Sequence, residues 1–79
     1  MPTIVWTPKV KGIPYTIVAR WNTWTFAGEL VVDERVIRTW GTRTAAQDIN
    51  FKIEGNSASL RKTLTGFDLY IDGQKIRYQ

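Results

Sequence analysis

Apolar and polar residues alternate along most of this 79-residue chain. Between Ile13 and Trp21, apolar or aromatic residues occupy every second position, and Thr16, Val18 and Arg20 lie between them. Successive side chains of a strand point to opposite faces, so a period of two is typical of a half-buried strand. No segment shows the 3.6-residue period of an amphipathic helix. The pattern therefore predicts an all-β protein.

Turn residues divide the chain into about eight short strands. Asp72-Gly73 lies between two apolar runs and predicts a type I′ hairpin, because both central residues of that turn have positive φ. Residues 9–12 are expected to form another turn. Thr44 and Gln47 have capping-box spacing, so at most one helical turn is expected there. The predicted strands are 3–6, 13–21, 23–32 with a bulge at 27–28, 35–40, 48–54, 57–62, 67–71 and 75–78. Turns are expected between them at Asn22-Thr23, Asp33-Glu34, Gly55-Asn56 and Thr65-Gly66.

The two halves of the chain resemble each other. Residues of one predicted hairpin recur 39 positions later in the other, and the alternating strands at 13–21 and 48–54 are about 34 apart. We interpret this as a decayed twofold repeat, with a longer ribbon around 56–65 in the second half. The matching pairs are Leu30 and Leu69, Val32 and Ile71, Asp33 and Asp72, and Ile37 and Ile76.

These elements predict the fold class. Many short strands separated by turns are typical of a small, mainly antiparallel β-sandwich or partly open barrel. We expect a single β domain over residues 1–79, with half-repeats at about 3–40 and 48–78. Prolines at positions 2 and 8 bracket the first strand and cannot donate to a ladder, so this strand is expected at a sheet edge. The terminal strands 3–6 and 75–78 are candidates for strand addition by a partner or for dimerisation.

Aromatic residues must supply much of the core. The chain has four Trp, three Tyr and three Phe, and a domain this short buries only about 60% of its unfolded surface. Trp21 and Trp24 are expected in the core because they share parity with other apolar residues of their strands. Trp6 and Trp40 stand at strand ends, where they are expected to cover the ends of the sandwich. Their exposure would instead indicate a carbohydrate-binding surface.

The residue types favour binding over catalysis. The chain has no histidine and no cysteine, so the usual general base, thiol nucleophile and zinc ligands are missing. Asp33 and Asp72 form the obvious carboxylate pair, but aspartate is also favoured in turns, and we interpret both as turn residues. We therefore expect a non-enzymatic protein with no cofactor and no metal.

A net charge of +4 and a pI near 9.8 are compatible with nucleic acid as a partner. Arg20, Lys52 and Arg61 fall on the outward parity of their strands. If those strands lie side by side, the three form a basic face on which Tyr70 is placed to stack a base. The alternative is an ordinary solvated face balanced by acidic residues.

No apolar run approaches the about 18 residues of a membrane helix, and no signal peptide is visible. A cytoplasmic protein that does not bind membranes is the expectation, as a monomer or weak homodimer; the alternative is a mature secreted chain whose leader has been removed.

Residues 48–60 and 67–76 resemble the C-terminal domain of the Fas apoptotic inhibitory molecule family. They contain a strand with a central phenylalanine, a Gly-Asn turn and a short strand. An apolar strand follows, which ends in Ile-Asp-Gly and is followed by another Ile. Residues 15–21 and 30–37 fit the family more loosely. Where animal members have a cysteine this chain has Ala58 or Ser59, so no thiol role is implied.

The resemblance implies a non-enzymatic, cytoplasmic β-sandwich that acts through protein–protein contacts in cell survival and proteostasis. Family members carry two such domains and this chain has room for one, so the expectation concerns protein binding rather than an apoptotic role. The alternative function is that of a small basic β-barrel that binds nucleic acid.

Overall fold

The computed structural model describes residues 2–41 and 48–77. Those residues form ten β-strands in antiparallel sheets and no helix, which confirms the all-β prediction. No segment among them is a helix that could span a membrane. Thr44, Gln47 and Tyr78 lie outside the described residues. The strands are β1 Thr3–Trp6, β2 Lys9–Val10, β3 Ile13–Pro14, β4 Ile17–Trp21, β5 Gly28–Val32, β6 Arg35–Trp40, β7 Ile49–Ile53, β8 Asn56–Lys62, β9 Phe67–Ile71 and β10 Gln74–Ile76.

Each half of the chain builds one four-stranded sheet. The first sheet has the order β1-β4-β5-β6, and the second has the order β10-β9-β8-β7. Read along the chain, both sheets have the same strand order, and β5 and β6 lie 39 positions before β9 and β10. In addition, the first half carries the short β2–β3 hairpin between its first two sheet strands. The longer ribbon predicted for the second half is therefore wrong: the insertion is in the first half.

The core lies between the two sheets and follows the predicted parity. One cluster of buried side chains joins both sheets, and the rings of Trp21 and Trp40 lie 5.1 and 5.2 Å from that of Phe67. Trp6 and Trp40 are both buried, as expected for strand-end tryptophans that cover the core. The carbohydrate-binding alternative required these two residues to be exposed and loses its basis. The buried cluster comprises Trp6, Val10, Ile17, Ala19, Trp21, Leu30, Trp40, Phe51, Ile53, Ala58, Leu60, Phe67, Leu69 and Ile71.

The predicted hairpin turn has the expected backbone. Asp72 and Gly73 have φ values of 51° and 80°, so both central positions are left-handed, as a type I′ turn requires. Asp33 and Glu34 have φ values of 48° and 69° in the matching turn of the first half. The turn predicted at Gly55-Asn56 lies one residue earlier, at Glu54-Gly55, and Asn56 already pairs with Ile53.

The strand predicted over 23–26 is wrong. The side-chain oxygen of Asn22 accepts the backbone N–H groups of Trp24 at 2.8 Å and Thr25 at 3.2 Å, which folds this segment into a loop. Asparagine competes in this way with strand pairing. Trp24 is consequently 93% exposed, against the expectation that it lies in the core. Ile13, expected on an inward face, is likewise 49% exposed.

The irregularity expected at Ala27-Gly28 occurs elsewhere. Gly28 begins β5 in regular pairing with Trp21, and the bulge lies between Leu30 and Val31. Gly28 has a different role: an added Cβ would lie 2.1 Å from the carbonyl oxygen of Arg20 and 2.9 Å from Trp21. Glycine is therefore required for close approach of two backbones.

Candidate interaction site

The predicted basic face is split between the two sheets. Arg20 lies on β4 of the first sheet, whereas Lys52, Arg61 and Tyr70 lie on β7, β8 and β9 of the second. The strands are therefore not side by side as that prediction required. Arg20 is ion-paired with Glu29 across the first sheet, at 3.5 Å. The four-residue face is wrong as a unit, because parity defines the inner and outer side of a strand but not the sheet to which it belongs.

The other three residues share the outer face of the second sheet. Arg61 lies over the ring of Tyr70, with 5.1 Å between the guanidinium carbon and the ring centroid. Arg61 is also paired with Asp48 at 3.3 Å, and this hydrogen bond raises the pKa of Arg61. On the same sheet Lys75 lies 3.7 Å from Asp68. Carboxylates thus neutralise two of the cations on this face, which makes it a weak electrostatic site for phosphate.

The turn aspartates have structural roles. The carboxylate of Asp33 accepts the backbone N–H of Thr16 at 2.8 Å, and the N–H of Asp33 donates to the Thr16 carbonyl at 2.8 Å. Asp72 makes the equivalent backbone bond to Ser57 at 2.8 Å. Within residues 2–41 and 48–77, no group of three or more acidic side chains is placed to hold a metal ion.

One end of the sandwich is covered by the β2–β3 hairpin; we call it the hairpin end. Val10 is buried in the core there. The Tyr15 hydroxyl donates to the Glu54 carboxylate at 2.5 Å, and Lys11 donates to the Glu54 carbonyl at 3.1 Å. The hydrogen bond to Glu54, together with desolvation and nearby negative charge, raises the pKa of Tyr15 to about 12. These contacts fasten the hairpin to the second sheet.

The opposite end carries two loops side by side, residues 22–27 and 63–66; we call it the loop end. These loops join β4 to β5 and β8 to β9, which are equivalent connections in the two halves. Lys62 lies 4.3 Å from the ring centroid of Phe26, so the base of one loop contacts the other. Trp24 at the tip of the first loop is 93% exposed, and Leu64 at the tip of the second is 94% exposed.

Both loops are held by internal hydrogen bonds. In the first, Phe26 N–H donates to the Asn22 carbonyl at 2.7 Å, and Asn22 N–H donates to the Ala27 carbonyl at 2.8 Å. The indole N–H of Trp40 donates to the Phe26 carbonyl at 2.6 Å. In the second loop the corresponding backbone and side-chain bonds join Thr63 and Gly66, at 2.8 and 3.1 Å. The two apolar tips are therefore presented on ordered backbones.

A cavity of about 480 Å³ adjoins the second loop. Trp21 and Phe67 form part of its floor, and Thr63 and Thr65 supply hydroxyl groups. It extends between the edges of the two sheets, from Thr3 to Lys75. The cavity thus combines an apolar floor, two hydroxyl groups and the Asp68–Lys75 ion pair, a mixture that is found at contact sites.

The terminal strands lie at sheet edges, as predicted. β1 is the edge of the first sheet and β10 is the edge of the second. The opposite edges, β6 and β7, are linked by Arg38, whose Nε donates to the Asn50 carbonyl at 3.4 Å. The Arg38 side chain thus hydrogen-bonds a backbone carbonyl of β7 that a strand added at this edge would otherwise use.

Sequence reasoning missed the loop end because it placed Trp24 on a strand. The turn expected at Asn22-Thr23 is present, but it extends through Trp24 and Thr25, because the side chain of Asn22 accepts their backbone N–H groups. For Leu64 a signal was present, since it lies between threonines next to Gly66 and outside any alternating run.

Comparisons of the chain with family models, curated proteins and solved structures give no match. The resemblance to the Fas apoptotic inhibitory molecule family therefore stays a prediction.

Proposed function

We propose that the chain is a non-enzymatic β-sandwich module that acts through protein–protein contacts, made by Trp24 and Leu64 at the loop end. One observation carries the proposal: two large apolar side chains, 93% and 94% exposed, stand on adjacent loops at the same end of the sandwich. Tryptophan is among the residues that contribute most to binding when buried at an interface. The cytoplasmic location is part of this proposal, and the family resemblance implies it as well.

The order of the loops supports a binding role. An exposed apolar side chain that takes no part in binding does not require an ordered backbone. A binding residue, by contrast, gains affinity when little conformational entropy is lost on association. Asn22 and Thr63 fix the two loops through side-chain hydrogen bonds to backbone N–H groups. The sealed layer of Trp21, Phe67 and Trp40 rings beneath them keeps the core buried without help from the tips.

The experiment compares capture of partners by tagged chains from lysate of the source cells, with and without nuclease. The test variant is Trp24→Ser/Leu64→Ser. The matched control is Ile13→Ser, because Ile13 is also an exposed large apolar residue but lies on the hairpin. We expect proteins that persist after nuclease with the wild type and Ile13→Ser and are lost with the double variant.

The affinity of one captured partner then gives the magnitude. At an interface centre each truncation is expected to weaken binding by about 2 kcal/mol or more. Equal binding by wild type and double variant overturns the loop end as the site. Loss of all partners on nuclease treatment, with binding that falls steeply with salt, supports the nucleic-acid alternative on the outer face of the second sheet instead.

A further inference from the structure

Four valines form one row across the outer face of the first sheet. Val5 pairs with Val18, Val18 with Val31, and Val31 with Val36. Leu30, which follows the opposite parity on β5, is fully buried in the core, so the valine row faces away from the core. Val36 is 51% exposed, Val5 and Val18 are half-buried, and Val31, at the centre of the row, is only 5% exposed. Every strand of the sheet therefore contributes one valine to the outer face, and the valines of β1, β4 and β6 are accessible to solvent there.

The neighbouring row on the same face is polar and carries one charge of each sign. Thr3 pairs with Arg20, Arg20 with Glu29, and Glu29 with Thr39. Arg20 and Glu29 lie on the two central strands, 3.5 Å apart. Across the four strands, the polar row reads threonine, arginine, glutamate, threonine, and the neighbouring row reads valine on every strand. Apart from the sign of the central charges, the half of the face on β1 and β4 therefore matches the half on β5 and β6.

We propose that two copies of the chain pack through this face, about a two-fold axis that runs parallel to the strands between β4 and β5. Such an axis places β4 of one copy over β5 of the other, and β1 over β6. Val18 then faces the second copy's Val31, and Arg20 faces the second copy's Glu29. Every contact is repeated by symmetry, as an isologous interface requires.

The charges select a second copy over an unrelated partner. Arg20 and Glu29 of both copies form a ring of alternating charge at the centre of the interface, so no charge is left opposite its own sign. The strands of the two facing sheets are kept within about 30° of each other, which is the ordinary geometry of aligned sheet packing. By contrast, the outer face of the second sheet carries the polar row Asn50, Ser59, Tyr70 and Lys75, which has no such apolar match.

The size of the face predicts a weak dimer. Four strands about 4.8 Å apart and five residues long cover roughly 300 Å², well below the about 800 Å² per partner of a standard interface. We therefore expect reversible association that rises with concentration. This inference concerns a different surface from the loop end and stands independently of the proposed function.

The first experiment measures the dimer dissociation constant by sedimentation equilibrium of the full chain, from micromolar to millimolar concentration. Arg20→Glu places like charges opposite each other and is expected to raise the Kd by about tenfold or more. Arg20→Glu/Glu29→Arg restores the alternation and is expected to return the Kd to within about threefold of the wild type. Arg61→Glu on the second sheet makes the same change in net charge and breaks an ion pair, and should leave the Kd unchanged.

The second experiment detects the geometry directly. The chain has no native cysteine, so Val5→Cys and Val36→Cys provide single reactive sites at opposite edges of the face. A short bismaleimide reagent should join Val5→Cys protein to Val36→Cys protein in a mixture, and should join neither to itself. Circular dichroism confirms that each variant is folded.

Failure is equally clear. A wild type that stays monomeric at millimolar concentration overturns the proposal. So does a dimer whose Kd is insensitive to Arg20→Glu, or cross-linking of Val5→Cys protein to itself.

Discussion

The two ends of the sandwich expose large apolar side chains to different degrees: Ile13 on the hairpin is 49% exposed, whereas the tips of the two loops are almost wholly exposed. At the hairpin end, β2 and β3 fold back over the sheets, Val10 is buried in the core, and Tyr15 is tied to Glu54. At the loop end the connections also carry large apolar residues, but Trp24 and Leu64 point into solvent. Both ends are built from ordered backbone, so the difference lies in where the side chains go rather than in local order.

The difference shows that the loop tips are not required to close the core. The rings of Trp21, Phe67 and Trp40 already cover it below the loops. At the hairpin end Trp6 is buried at the end of β1, and the hairpin adds Val10 to the cover of the core. Substitutions at either end can test this difference, and the loss of Phe67 should destabilise the protein most.

Phe67→Ala removes the ring that contacts both Trp21 and Trp40. We expect a loss of about 3–5 kcal/mol in the free energy of unfolding, because a large buried ring is replaced by a cavity. Urea denaturation followed by circular dichroism measures it. A loss below about 1 kcal/mol would mean that the aromatic layer does not close the loop end, and the comparison would fail.

Gly28→Ala tests the close approach at the base of the first loop. The added methyl group meets the Arg20 carbonyl oxygen at 2.1 Å, which forces the backbone of β4 or β5 to shift. We expect a loss of about 1–3 kcal/mol, as for an overpacked core. Gly41→Ala is the matched control, since a Cβ there meets nothing within 4 Å. Equal stability of the two variants would contradict the close approach.

Tyr15→Phe tests the fastening of the hairpin end. The pKa of Tyr15 is raised to about 12 in the folded protein, above the about 10 of an unfolded chain. The folded state therefore holds this proton more tightly, and the stabilisation is present below pH 10 and lost as pH rises from 10 to about 12. We expect a small loss of stability at neutral pH and a shallower alkaline decline in the variant than in the wild type. Equal alkaline declines would show that the Tyr15–Glu54 contact contributes nothing in solution.

Trp24→Ser/Leu64→Ser should have the smallest effect on folding. Both side chains are almost wholly exposed, so we expect a change of less than about 0.5 kcal/mol in the free energy of unfolding. The urea midpoint of the double variant gives the answer. A large loss would indicate that the tips belong to the core and would remove the basis for a binding role.

Iodide quenching of tryptophan fluorescence tests which of the four tryptophans are exposed. Trp6, Trp21 and Trp40 are buried and Trp24 is exposed, so one tryptophan should supply the quenchable fluorescence. Trp24→Phe should abolish that component. Quenching that persists in this variant would contradict the burial of the other three.

Much of the fold was predictable because it is encoded locally. Asp72-Gly73 predicts its turn from backbone sterics alone, and the alternation around Phe51 and Leu60 predicts which side chains are buried. These features need only a few neighbouring residues, so one sequence is enough to identify them.

The site was less predictable because it depends on non-local placement. Arg20 and Lys52 share an outward parity, yet the assignment of their strands to different sheets cannot be deduced from alternation. The spacing of Trp24 from Phe26 matches a strand and predicts a core position, whereas the side chain of Asn22 imposes a loop. The family resemblance depends on turn and core residues, which recur in unrelated β-proteins and do not define a partner.

The division of the chain into one sheet per half has a consequence for its biosynthesis. Once residue 40 has left the ribosome, every backbone hydrogen-bond partner of the first sheet has been made. The inner surface of that sheet, with Trp6, Trp21 and Trp40, then stays uncovered until the remaining residues emerge. The first sheet can therefore bury its three core tryptophans fully only after the second half of the chain has been synthesised.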